Sequence, residues 1–288
     1  PSLSVIHSTL KKTTKQPAFS VRSLKRGSAP YSKNAHLTLL TTLTKLTKSN
    51  HYRELNIVDD AELKHLQSWI GKQSVLTDTL PNFPVQALAS AFDHSVVLNR
   101  GGTLPCPWHW LYFLPTPTHT GTGEDGHPKK GGFLPPVPLP RRMWAAGEMR
   151  IEQPLIIGEV AEKISTVKSV EAKTGRTGPL VFVNVLHEIR QREQLCISEQ
   201  QNLVYREAPK QRAELPAGKQ ATEIADFTRE VTPDPVLLFR YSALTYNSHR
   251  IHYDREYAVN TELYPALVVH GPLLATLLVE LIYDTIPG

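Results

Sequence analysis

The chain has 288 residues, 40% of them hydrophobic, enough for one large domain or two modest ones, each with a real core. Its two cysteines, Cys106 and Cys196, lie far apart and in no CxxC or Cys/His spacing, which argues against a disulfide framework or a structural zinc site and suits a reducing compartment. The net charge of +5 is unevenly spread: residues 1–53 hold ten Lys and Arg and no Asp or Glu, whereas the remainder holds 22 basic and 27 acidic residues.

An acid-free, Ser/Thr-rich leader with scattered Lys and Arg has the composition of a mitochondrial transit segment, so a mitochondrial location is expected. A solvated tail is the plainer alternative. A nucleic-acid-binding arm is a third, disfavoured because no aromatic interleaving or nucleic-acid motif accompanies the charge. After the leader, Leu63, Leu66, Trp69 and Ile70 mark one face of a short helix over 59–72, and Val85, Leu88, Ala89 and Phe92 mark a second over 84–92. Residues 103–140 then carry nine prolines and a Gly-rich insertion at 121–132. Trp108, Trp110, Tyr112, Phe113 and Leu114 make this stretch too apolar for a flexible linker, so an ordered loop is expected, with a mobile tip near 121–130.

Four β-branched runs follow, at 149–157, 160–170, 180–189 and 194–205, separated by turn residues, and they predict an antiparallel meander. Residues 207–235 are polar and Pro-punctuated, a linker between two units. The last unit is expected to begin with a strand over 236–244, pass through a polar stretch to Asp254, and end in an apolar helix after His270. Pro265, His270, Pro272, Glu280 and Asp284 interrupt the apolar run at 263–286, so a buried helix is expected there and no membrane span.

The most informative text is FRYSALTYNSHRIHYD at 239–254, followed by YPALVVHGPLL at 264–274. It resembles the MaoC-like hydratases and dehydratases, and within them the branch of hydroxyacyl-thioester dehydratase type 2 and mesaconyl-CoA hydratase. The segments SWIG at 68–71, HWLYFLP at 109–115, PLPRRMWAAG at 138–147 and GPLVFV at 178–183 resemble the N-terminal half of the same family, in the same order. The resemblance implies an α+β, double hot-dog fold, each antiparallel sheet wrapped on a central helix: an N-terminal hot dog over 54–206 and the start of a C-terminal one over 236–288. It also implies that His252 is catalytic and that Asn247 stands where the wider family has Asp. The implied activity is reversible dehydration of a (3R)-3-hydroxyacyl thioester, on acyl carrier protein in mitochondrial fatty acid synthesis or, as the alternative, on CoA with a mesaconyl-type dicarboxylyl group. No cofactor beyond the substrate's phosphopantetheine is expected, and a homodimer is the expected assembly.

The residues suit this chemistry independently. Eliminating water from a 3-hydroxyacyl thioester needs a base for the α-proton, an acid for the departing hydroxyl, and donors for the thioester oxygen. His252 can serve as base and then acid. Asn247 transfers no proton but can orient the hydroxyl, or can be a plain turn residue. Gly271 lets a helix N-terminus approach the thioester oxygen. Arg141 and Arg142, with His249 and His270, are weaker candidates for binding substrate or carrier, the arginines being equally suited to a solvated surface. Two other readings stay open. His249, His252, Asp254 and His270 offer ligands for a hydrolytic zinc, although no HExxH accompanies them and the expectation is no metal. The family continues with further strands beyond this chain's last helix, so the C-terminal hot dog is expected to be incomplete, its helix exposing a sticky face in a non-catalytic or partner-dependent protein.

Overall fold

The computed structural model describes residues 2–3, 19–23, 35–40, 58–94, 98–175, 178–212 and 224–285. Most of the leader, the middle of the 207–235 linker and residues 286–288 lie outside the described residues.

An antiparallel sheet forms the body: β5 (Arg141–Ile151), β6 (Ala161–Gly175), β7 (Gly178–Gln191) and β8 (Gln194–Arg206), in the spatial order β5-β8-β7-β6, so that β6, β7 and β8 run as a meander and β5 closes on β8. β4 (Gln73–Asp78) adds to the β6 edge, and β3 (Ala35–Leu40), itself joined in parallel by β1 (Ser2–Leu3), adds to the β5 edge. Val181, Val183 and Val185 of β7 face inward at the two-residue period of a half-buried strand, and with Leu66 of α1 (Asp60–Gln67), Val167 and Tyr205 they fill one core. A second, larger core joins Met149, Ile189 and Ile197 of the sheet to three helices: Val85 and Leu88 of α2 (Asn82–Ala91), Leu238 and Tyr241 of α3 (Pro235–Leu244), and Leu273 and Leu277 of α4 (Gly271–Thr285). One core therefore spans both units inferred from the sequence.

Several expectations change. Residues 236–244 form helix α3, not a strand: Asp234 caps it by accepting the Leu237 N–H at 2.8 Å, and Pro235 occupies the first turn, where a missing N–H is harmless. The first of the four runs forms a strand over Arg141–Ile151 rather than 149–157 and pairs with the last strand, β8, instead of starting the meander, and β4 was not anticipated. Inside the linker, β9 (Phe227–Val231) pairs antiparallel with β2 (Phe19–Ser23), and this ribbon packs beside α4. Far from exposing a sticky face, α4 is buried, with Leu273 at 0% and Leu281 at 3% exposure. Its buried acid, Glu280, accepts the Trp108 indole N–H at 2.7 Å and lies 3.2 Å from His94. No described helix is long and apolar enough to cross a membrane.

Candidate active site

The turn after α3 carries the candidate catalytic residues. Asn247 donates its N–H to Ser242 at 2.8 Å and accepts the His249 N–H on its side-chain oxygen at 3.0 Å, a local Asx-type turn. That contact engages Oδ1 and leaves the Nδ2 donors for a ligand. One 3₁₀ turn follows, Arg250–His252, braced by the Arg250–Asp254 ion pair at 2.8 Å and by the Arg250 guanidinium 4.1 Å over the Tyr257 ring.

His252 ends this turn, buried at 7% exposure. Its Nδ1 lies 2.7 Å from the Val268 carbonyl, an oxygen that can only accept, so Nδ1 carries the proton and Nε2 presents its lone pair. Burial pushes its pKa down to about 4, the Val268 carbonyl opposing and His127 adding to the fall, so the ring is neutral at pH 7. His270 stacks on it at 3.7 Å and is anchored by Ser242 at 2.8 Å. Gly271 opens α4 directly after His270, and its N–H has no hydrogen-bond partner among the described residues. A side chain at Gly271 would meet the Trp144 ring at 2.8 Å, and one at Gly147 would meet the same ring from the other side at 2.7 Å. Trp144 thus lies between two positions where only glycine fits, just before the bulge that breaks the β5–β8 register.

Sequence reasoning missed the contribution of the Pro/Gly-rich loop. Its tip docks on the candidate catalytic turn: the Arg250 N–H donates to the Asp125 carbonyl at 2.9 Å, the Ser248 hydroxyl to Gly126, and the Arg250 side chain to Glu124 at 3.3 Å. The docking brings the His127 ring to 4.0 Å from that of His249, the two planes tilted by 38°, and His249 in turn lies 5.4 Å from His252. Asp125 holds His127 through Nδ1 at 2.8 Å. Burial opposes the charge on Asp125, but the His127 bond and charge hold it well below the usual carboxylate range. Burial pushes His127 down, with Arg142 adding to the fall, and burial with the neighbouring His127 and His252 pushes His249 down to about 2. The only sequence signal for this dyad is a DGHP string in a loop otherwise read as a spacer.

Of the remaining candidates, Arg142 faces this histidine row, its charge felt by His127 and His249. Arg141 is committed elsewhere, in an ion pair with Glu262 and over the Tyr264 ring at 5.1 Å. The ligand set suggested for zinc is not assembled as expected, because Asp254 turns to Arg250. Asp125, His127 and His249 do place ligand atoms within 4.8 Å of one another, although Asp125 already accepts two hydrogen bonds from His127.

Comparison with known proteins gives the family and the fold. A family model described as hydroxyacyl-thioester dehydratase type 2 matches residues 107–287. A mesaconyl-C(4)-CoA hydratase of Chloroflexus aurantiacus is 46% identical over 216 residues, covering 74% of this chain and 77% of the relative. A mitochondrial hydroxyacyl-thioester dehydratase type 2 of Schizosaccharomyces pombe is 28% identical over 242 residues, covering 74% and 80%. Among solved structures, a MaoC-like dehydratase of Phytophthora capsici shares the hot-dog fold at a TM-score of 0.51 and 13% identity, with 77% of each chain covered.

Proposed function

The chain belongs to the hydroxyacyl-thioester dehydratase type 2 family of hot-dog hydratases and dehydratases, and on that premise we propose that His252 moves the proton when water crosses the 2,3-bond of its acyl thioester. The observation that carries this is the His252 tautomer: with Nδ1 bound to Val268, the Nε2 lone pair is the group free to act, beside the open N-terminus of α4. In the dehydrating direction Nε2 takes the α-proton, the electron pair delocalises onto a thioester oxygen held by the Gly271 N–H, and the C3 hydroxyl, oriented by Asn247 Nδ2, leaves as water with the proton that His252 returns. Hydration is the reverse. No proton is left over.

We place a short CoA ester of mesaconyl type first among substrates, because the relative named for that activity is 46% identical along three quarters of the chain. The (3R)-3-hydroxyacyl-[acyl carrier protein] of mitochondrial fatty acid synthesis is the second reading, favoured by the basic leader and by the mitochondrial relatives. Steady-state hydration of mesaconyl-C(4)-CoA against dehydration of 3-hydroxyacyl thioesters of increasing length, on CoA and on acyl carrier protein, decides between them. Higher kcat/KM on the short CoA ester is expected. A rate that climbs with chain length and requires the carrier protein would reverse the order. For the location, residues 1–53 fused to a reporter are expected to drive import into isolated mitochondria.

A further inference from the structure

Lys163 of β6 is a part-buried cation that has no carboxylate in bonding distance among the described residues. Its ammonium makes one long contact, 3.4 Å to the Phe113 carbonyl, and lies 5.5 Å over the Phe113 ring. Burial pulls its pKa down while Glu199 opposes the fall. A desolvated ammonium without an anionic partner is costly, and such a group persists where a ligand completes it.

Lys163 lines a cavity of about 190 Å³ together with His187, Trp110, Tyr112, Thr245 and Glu199. Glu199 is not the missing partner. Its two oxygens already accept from His109 at 3.0 Å, Trp110 at 3.1 Å and Gln201 at 2.6 Å, and these donors hold its pKa down to about 2 against its burial. Lys163, in contrast, retains most of its donor capacity, and beside it burial keeps His187 neutral, its pKa pushed down to about 4.

The cavity adjoins the catalytic turn. Thr245, the last residue of the α3 cap, lies two positions before Asn247, and Trp110 packs edge-on against Trp144 at 6.1 Å, the ring that lies against Gly271. A thioester whose oxygen rests on the Gly271 N–H would extend its acyl group past these two indoles toward Lys163. The volume of about 190 Å³ falls below the roughly 300–1,000 Å³ of ordinary ligand pockets, a space suited to a short acyl group rather than a fatty chain. An acyl group ending in a methyl would leave the ammonium unpaired, whereas one ending in a carboxylate would complete it.

We propose that this cavity is the acyl pocket for a short dicarboxylyl thioester, with the Lys163 ammonium as the specificity-determining partner of the distal carboxylate. The assignment rests on the hydro-lyase reading given above.

The test compares wild type, Lys163→Met and Lys163→Arg on two enoyl thioesters, mesaconyl-C(4)-CoA and the neutral crotonyl-CoA, and in calorimetric binding of succinyl-CoA and butyryl-CoA, which have no double bond to hydrate. Lys163→Met is expected to lose about 10²-fold in kcat/KM on mesaconyl-C(4)-CoA and in affinity for succinyl-CoA, while changing crotonyl-CoA hydration by less than about 3-fold. Lys163→Arg, which keeps the charge, is expected to retain part of the preference. Equal losses on both enoyl thioesters, or a wild type that hydrates crotonyl-CoA at least as well as the dicarboxylyl ester, would overturn the pocket while leaving the hydro-lyase reading intact. Charge-dependent succinyl-CoA binding without hydration of either ester would support the pocket and overturn the hydro-lyase reading.

Discussion

His252→Ala is expected to lower kcat by ~10²–10⁴-fold, the range typical of losing a general acid–base group, with the fold intact. The ring's polar engagement is a single hydrogen bond to Val268 at a turn, so its loss is a small fraction of the core's stability, whereas the reaction loses its one positioned proton carrier. The pH profile separates this role from a packing role. Because burial holds the His252 pKa near 4, the free base is present throughout the neutral range, and kcat/KM should fall as pH drops through about 4, where Nε2 becomes protonated. In the variant that acid limb should vanish from the residual rate. The same depression affects stability. A histidine whose folded pKa lies below its unfolded value stabilises fully above about 6.5 and loses that contribution as pH falls toward the folded value, at most about 1.4 kcal/mol per pH unit. His187 shares that window, so circular dichroism must accompany the rate measurement. Asn247→Ala should also impair turnover by removing both the acceptor of the His249 N–H and the group that orients the C3 hydroxyl, while Asn247→Asp, which still accepts the His249 N–H and can orient the hydroxyl by accepting its O–H, should keep substantial activity. Near-normal dehydration by His252→Ala would reduce the histidine to architecture.

The sequence announces the parts whose cause is local. Alternating Val181, Val183 and Val185 can only be a strand with one buried face, and the meander follows from such runs between turn residues. The candidate site was legible because its residues are contiguous, so one turn gathers Asn247, His249 and His252. Helix α3 was misread because Val236 to Phe239 is apolar without interruption, and such a run has no period to read; the Asp-Pro cap just before it was the better guide. Two features depend on distance in the chain and left little local trace. The burial of α4 comes from residues far away in the chain, such as Trp108 on Glu280, 172 positions apart, and the docking of Asp125 on Arg250 joins segments 125 residues apart. A Gly-rich tip reads as mobile because glycine is permissive. Here glycine is required by a close approach, which no window of the sequence contains.

That close approach makes Gly126 the second position of large effect. Its φ is +88°, in the left-handed region, and a Cβ there would overlap the Ser248 carbonyl. Both costs fall on Gly126→Ala, and neither can be relieved by a side-chain rotation because the obstructing atom is backbone. The tip must therefore lift. Lifting releases the Arg250 N–H from Asp125, the Ser248 hydroxyl from Gly126 and the His127 ring from His249, leaving the catalytic turn braced from its own side only. Displacements of about 1 Å in a catalytic group cost up to about 10²-fold in rate, so a fall of that order in kcat/KM is expected. The sheet and both cores lie outside the contact, so thermal unfolding should shift by only a few degrees. The diagnostic is the separation of the two readouts. An unchanged rate would mean that the docked tip does not position the turn; a collapse of the melting transition along with the rate would mean that the tip is part of the scaffold. A large loss of rate on an intact fold would establish that the Asp125–His127 loop holds the turn carrying His252 in its reactive position.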